Sequence, residues 1–323
     1  MLMSIGLVVG GLLLLACGGE VLLRGAVGLA TRLRLTPAII GLTVVAAGTS
    51  VPELAVSTIA SFQGQTDIAV GNIVGSNIFN IVFILGLCAL IGPLTIGGNT
   101  IRLEYPVLAL VTLMCVALTQ DGAVSRLDAV LLLAVYVCFT AYMVALVRDQ
   151  MNATEEQEFG AEVQDLGGAP ATVKGLPALL GFVAGGVVLL GVGAQFTVNG
   201  AVALAQWFGL SERVIGLTIV AAGTSLPEVV TSLVSAARGR DDVAIGNVIG
   251  SNLFNILFIL GVSGLVSPLS VHPAIMSSDN WWMLGVTLLL FPVMLTGRRI
   301  NRIEGAGLLA IYVVYVARLL SAA

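Results

Sequence analysis

Glu53 and Glu228 are the residues that most need a chemical reason. They stand 175 positions apart in long apolar runs, each closing the same short motif, Ser50-Val51-Pro52-Glu53 and Ser225-Leu226-Pro227-Glu228. A carboxylate at mid-membrane depth costs about 2.5–3.5 kcal/mol even on the lenient insertion scale. Helix capping is one use for it, because a Ser N-cap, Pro in the first turn and a following Glu read as a capping box. Ser alone could cap at lower cost. Two carboxylates brought together in low dielectric repel each other, and a bound cation removes that repulsion and the desolvation penalty at once. Cation ligation is therefore the favoured reading of both.

A second motif, G-N-x-x-G-S-N-x-F-N, follows each glutamate at residues 71–80 and 246–255. Asn72, Ser76 and Asn80 fall at i, i+4 and i+8 and form one polar stripe on a helix, as do Asn247, Ser251 and Asn255. Gly71 and Gly75 offer a small-residue face for a close neighbour. Ser76, Asn80, Ser251 and Asn255 present neutral oxygens toward the glutamate segment, so they join the candidate site. Asn72, Asn77, Asn247 and Asn252 divide between that role and hydrogen bonding between helices. Gly48 and Pro52 weaken the helix that carries Glu53, which frees carbonyl oxygens near Ala46 and Thr49, and near Ala221 and Thr224 in the second copy. The resulting donor set is all oxygen. Calcium takes about 6–8 oxygens in flexible geometry, whereas transition metals favour His or Cys. Two carboxylates balance one Ca²⁺, or monovalent ions or protons in its place, and such mutual exclusion is what an antiporter requires.

The elements that position these residues follow from composition. Of 323 residues 58% are hydrophobic and 10% charged, with a mean hydropathy of +1.05, which excludes a soluble enzyme and identifies an all-α polytopic membrane protein. Apolar runs predict helices near 5–30, 37–62, 67–91, 103–119 and 127–147, then near 177–205, 212–237, 242–266, 280–296 and 303–320. Residues 41–86 and 216–261 align without a gap, identical at 27 of 46 positions. Gly10, Gly11 and Gly25 match Gly185, Gly186 and Gly200 at the same offset; Gly122 matches Gly297, while Tyr136 and Tyr312 need 176. Five helices is an odd number, so two copies joined end to end lie in opposite orientation. The expected architecture is ten transmembrane helices as two inverted-topology repeats, 1–147 and 176–323, joined by a linker, 148–175, with a site near the midplane.

Orientation follows from basic residues. Arg32, Arg34, Arg102, Arg148, Lys174, Arg238, Arg240, Arg298, Arg299 and Arg302 fall on one side, against Arg126, Arg213 and Arg318 on the other, with Arg24 inside the first helix. Both termini are expected outside and the acidic linker in the cytoplasm, in an inner cell membrane. The linker lacks the ligand pattern of an EF-hand and reads as a solvated connector, and the Asn152-Ala153-Thr154 triplet carries little weight. Leu14 to Cys17 resemble a lipid-attachment box, but no basic region precedes them and the segment has its own counterpart in the second half, so it reads as a retained helix. The four cysteines, Cys17, Cys88, Cys115 and Cys138, read as small buried hydrophobes. His272 is assigned no chemistry. Nothing asks for a cofactor, nucleic acid or an obligate protein partner; the partners expected are the bilayer and the transported ions.

The paired GTS[VL]PE and GN[IV][VI]GSN[IL]FN motifs resemble the two α-repeats of the cation/calcium exchanger superfamily, close to the prokaryotic sodium/calcium exchangers, over nearly the whole chain. That resemblance implies a ten-helix fold in which Glu53 and Glu228 bind Ca²⁺ beside the Thr49 and Thr224 carbonyls. It also implies that Ser50, Ser76, Ser225 and Ser251, with the Ala46 and Ala221 carbonyls, line sodium positions. Some members carry an acidic residue where this chain has Asn80 and Asn255, so here the two glutamates alone are charged. The expected function is Ca²⁺/Na⁺ antiport by alternating access. A proton-coupled or potassium-dependent antiporter using the same site is the alternative, and a passive cation channel a more distant one.

Overall fold

The computed structural model describes residues 1–32, 46–98, 100–150 and 175–321. Helix α1 spans Leu2–Arg32, α2 Ala46–Thr49 and α3 Val51–Phe62. Then come α4, Thr66–Ile91, α5, Thr100–Leu118, and α6, Arg126–Gln150. The second half holds α7, Leu176–Phe208, α8, Glu212–Thr224, α9, Leu226–Ala237, α10, Asp241–Val266, α11, Ile275–Leu295, and α12, Arg302–Ser321. Among the described residues nine of the ten expected helices have a counterpart, α8 and α9 together standing for 212–237; of the expected 37–62 helix the described part is α2 and α3. The start of the second expected span, Arg34, Lys174, most of the linker and the Asn152 triplet lie outside the described residues. Among the described residues eight helices are long and apolar enough to cross a membrane, or nine if α8 and α9 form one span bent by 47°. Their outward faces carry apolar side chains such as Leu13, Leu127, Val188 and Val313, as in an integral membrane protein.

The sequence repeat reappears as repeated geometry. Turns of π-helix open α5 at Thr100–Glu104 and α11 at Ile275–Asp279, and wider turns interrupt α4 at Phe79–Ile84 and α10 at Asn255–Ile259. Gly122 and Gly297, at equivalent turns, both take positive φ, 86° and 66°, which glycine adopts at little cost.

Two helices form the centre. Within their apolar windows 83% of α4 and 72% of α10 is buried, against 17% of α6. The halves interlock around them by exchange. Tyr312 of α12 packs on Phe79 and Phe83 of α4, centroids 5.4 Å away in each case, while Tyr136 of α6 packs on Phe254 and Phe258 of α10 at 5.7 and 5.0 Å. These are the residues that the 175 and 176 offsets relate.

Helices α1 and α7 cross the flank of this core antiparallel to one another. Glycines spaced by seven line their contact, Gly11, Gly18 and Gly25 against Gly193, Leu190 and Val183. A Cβ added at Gly193 would lie 2.9 Å from the Gly11 carbonyl oxygen, and one at Gly186 2.6 Å from the Leu22 amide. Only glycine permits so close an approach. Connectors are tied in pairs by two-residue antiparallel strands: β1, Leu94–Thr95, with β4, Arg299–Ile300, and β2, Ala123–Val124, with β3, Leu269–Ser270.

Two expectations on side chains are corrected. Cys88 and Cys115 are buried, but Cys17 and Cys138 are exposed on α1 and α6, because a helix on the rim of a bundle turns a full face outward. Arg213, counted among the basic residues on the outer side, is 5% exposed inside the first turn of α8.

Candidate cation-binding site

The two helix breaks fall where Gly48, Pro52 and their counterparts predict them. Ser50 separates α2 from α3, and Ser225 separates α8 from α9, with φ, ψ of −89°, 11° and −81°, 8°. Both serines occupy N-cap positions, yet neither side chain caps its helix. The capping-box reading is thereby corrected. Instead Ser50 Oγ donates to Glu228 Oε1 at 2.6 Å, and Ser225 Oγ donates to Glu53 Oε1 at 2.7 Å. Each carboxylate of one half is thus held by the break of the other. These are short bonds in a fully buried place, both glutamates being 0% exposed.

The opposite oxygens are bare. Among the described residues Glu53 Oε2 and Glu228 Oε2 have no hydrogen-bond partner, nor do the amide oxygens and nitrogens of Asn80 and Asn255. All are buried. Buried polar atoms are normally satisfied, so a group of orphans beside two carboxylates is a property of the site. Asn255 opens the π turn in α10 and Asn80 is the second residue of that in α4, a local widening frequent at functional positions. One helical turn earlier, Ser251 Oγ donates to Glu228 Oε1 at 3.4 Å, and Ser76 Oγ to the Ala221 carbonyl, also at 3.4 Å.

The Ala221 carbonyl, expected from sequence to be freed by the break, is not. It accepts from Ser225 N–H at 3.1 Å and lies 3.3 Å from Thr224 Oγ1, because helical bonding runs on up to the bend. Thr224 Oγ1 also lies 3.0 Å from Val220 O and from Asn72 Oδ1. Ala46 begins α2 at the edge of the described residues.

The remaining asparagines sort by their partners. Asn72 donates to Ser57 Oγ at 2.9 Å and to Glu53 O at 3.4 Å; Asn247 does the same to Ser232 Oγ and Glu228 O at the same distances. Both clamp the helix that carries a glutamate. Asn77 bonds back to Ile73 O in its own helix, whereas the buried Asn252 amide has no partner among the described residues. Ser57 and Ser232 were not singled out from sequence. Their signal was present, one helical turn after each glutamate and 175 apart. Also unanticipated is a buried ion pair, Arg213 Nη1 to Asp279 Oδ2 at 2.6 Å, with Tyr315 Oη donating to Asp279 Oδ1 at 3.3 Å.

Among the described residues no three His, Cys, Asp or Glu side chains gather round one point. Here two carboxylates are supplemented by hydroxyl and amide oxygens instead. Hard oxygens with two negative charges and no soft donor can hold a hard cation and suit calcium or sodium better than a transition metal.

A family profile described as "Sodium/calcium exchanger protein" matches residues 3–145 and 178–321. The chain is 40% identical to "Putative antiporter CaxA" of Alkalimonas amylolytica, covering 98% of each sequence. It is 32% identical to "Sodium/calcium exchanger MaX1" of Methanosarcina acetivorans, over 95% of each. A solved structure of the sodium-calcium exchanger NCX_Mj superposes with a TM-score of 0.65 at 30% identity, over 98% of both chains. By profile, sequence and fold together, this chain belongs to the sodium/calcium exchanger family.

Proposed function

We propose that this protein is a secondary antiporter that exchanges Ca²⁺ for Na⁺ across the inner cell membrane by alternating access, without a cofactor. The observation that carries the reading is the pair of buried glutamates, each fixed on one oxygen by the serine of the opposite break and bare on the other. One Ca²⁺ neutralises both. Sodium ions compensate the same charges and so compete for them, and competition for a shared site couples the two fluxes. In this reading Glu53 and Glu228 ligate Ca²⁺ with Thr49 and Thr224, while Ser50, Ser76, Ser225 and Ser251 with Ala46 and Ala221 line sodium positions. Asn80 and Asn255 complete the cage as neutral oxygen donors.

The inverted architecture has its own support. Helices α1 and α7 are equivalent by sequence offset yet run antiparallel, as corresponding helices of inverted repeats must. The strand pairs join 94–95 to 299–300 and 123–124 to 269–270, connectors that ten spans would put on the inner and outer sides respectively. Residues 1–147 and 176–323 are then the two repeats, with both termini outside and the 148–175 linker cytoplasmic.

Uptake into inside-out vesicles tests the proposal, with Na⁺, K⁺ and H⁺ gradients varied separately. Ca²⁺ accumulation should require Na⁺ inside the vesicle and persist when the pH gradient is collapsed. Uptake that follows a proton gradient and ignores sodium would transfer the site to Ca²⁺/H⁺ exchange. Flux indifferent to every opposing gradient would indicate a channel.

A further inference from the structure

A groove of about 370 Å³ lies between α11 and α12, lined by neither glutamate and open at the protein surface. One end is polar: Ser277 and Ser278, with Arg318 from the last turn of α12. The Arg318 guanidinium stands 5.9 Å from the Trp282 ring centroid, and Trp281 is 53% exposed beside it. Below this end the wall is apolar, formed by Leu289 and Ile311 around Gly285. A Cβ built on Gly285 would meet nothing within 4 Å, so the floor is open. Among the described residues no carboxylate is paired with Arg318.

We propose that this groove binds a single phospholipid, its phosphodiester on Arg318 and the two serines and one acyl chain along Gly285. Guanidinium matches phosphate oxygens in charge and in forked geometry. Tryptophans mark the depth at which headgroup meets hydrocarbon, which here puts the anion-binding end level with lipid phosphates and the apolar wall level with acyl chains. The repeat shows that the fold does not impose these features. At an offset of 175, Trp281, Trp282 and Gly285 correspond to Pro106, Val107 and Leu110, and at 176 Arg318 corresponds to Tyr142. Leucine stands in one half where glycine leaves the groove floor open in the other. The groove also has a route to the core, since Trp282 packs on Tyr315 at 5.5 Å and Tyr315 donates to Asp279. The proposal depends on the chain lying in a bilayer and on nothing about which ions it carries.

Native mass spectrometry of the full-length protein in detergent tests it, with dioleoyl phosphatidylglycerol, dioleoylglycerol and inorganic phosphate as probes. One phosphatidylglycerol should be retained per chain, with dioleoylglycerol bound at least tenfold more weakly and inorganic phosphate neither retained nor competing. Arg318→Gln and Gly285→Phe should each weaken retention at least tenfold, and Arg126→Gln, which removes another arginine on the same expected side, should leave it unchanged. Gel filtration checks that each variant is folded. Equal retention of the two lipids, parent-like retention by both groove variants, or an equal loss in Arg126→Gln would overturn the proposal. The readout is bound mass, so its failure is separable from failure of Ca²⁺/Na⁺ exchange.

Discussion

Ser50 Oγ donates to Glu228 Oε1 at 2.6 Å, and the sequence separation of 178 residues makes this bond a direct tie between the two halves. A hydrogen bond to a charged group contributes about 1.5–3 kcal/mol. Ser50→Ala should therefore lower apparent cation affinity roughly tenfold or more, at about 1.4 kcal/mol per factor of ten. Ser225→Ala should do the same through Glu53. Thr in place of either serine keeps the donor and should retain most of the exchange. Concentration dependence of Ca²⁺ uptake in proteoliposomes reads the effect, and unchanged affinity in both alanine variants would remove these bonds from the site.

Neutralising the glutamates separates charge from shape. Glu53→Gln and Glu228→Gln keep an oxygen that can accept the serine bond, and each removes half of the charge that compensates a divalent ion. Exchange should fall at least 100-fold in each, while membrane insertion and gel-filtration behaviour stay those of the parent. Normal exchange by either variant, with the protein correctly inserted, would rule out a shared two-carboxylate site.

How much of this was legible in the sequence depends on how local each cause is. The glutamates, the i, i+4, i+8 stripes and the offset of 175 are written in residue type and spacing, and the helices follow from apolar length. Ser50 is different, because its motif fits a helix cap and a cross-repeat donor equally well. Contact with Glu228 decides between them, and that contact is tertiary. Arg213 stands at the start of an expected helix, where a basic residue reads as facing the membrane surface, and its burial depends on Asp279, 66 positions away. The π turns at Asn80 and Asn255 carry no composition of their own. What marked them was that two asparagines held the same place in both copies.

Asn72 and Asn80 lie two turns apart on α4 and should behave in opposite ways. Asn72 donates to Ser57 and Glu53 O and lies within bonding distance of Thr224 Oγ1. Asn72→Ala strands those groups in the interior, and each buried group left unsatisfied costs about 1–3 kcal/mol. A clear drop in melting temperature in detergent is expected. Among the described residues Asn80 has no partner for either amide atom, so Asn80→Ala removes orphans and should leave the melting temperature unchanged or raised while slowing exchange several-fold. The same contrast holds for Asn247 and Asn255. Equal destabilisation by Asn72→Ala and Asn80→Ala would show that Asn80 has a structural bond after all.

The Arg213–Asp279 pair is 6% and 2% exposed and joins the start of α8 to the start of α11. Removing one member of a buried pair leaves the other charge without compensation, at about 3–5 kcal/mol. Arg213→Met and Asp279→Leu should each lower the melting temperature steeply. Replacing both together removes both desolvation penalties, and well-packed apolar replacements of buried pairs are often neutral or stabilising. The double variant should therefore melt well above either single one, and Na⁺-dependent Ca²⁺ uptake should return with it, because neither residue touches the glutamates. A double variant as unstable as the singles would mean that Tyr315, left without its Asp279 acceptor, carries the larger share of the cost. Phe in place of Tyr315 on that background then restores stability if the stranded hydroxyl is the cause.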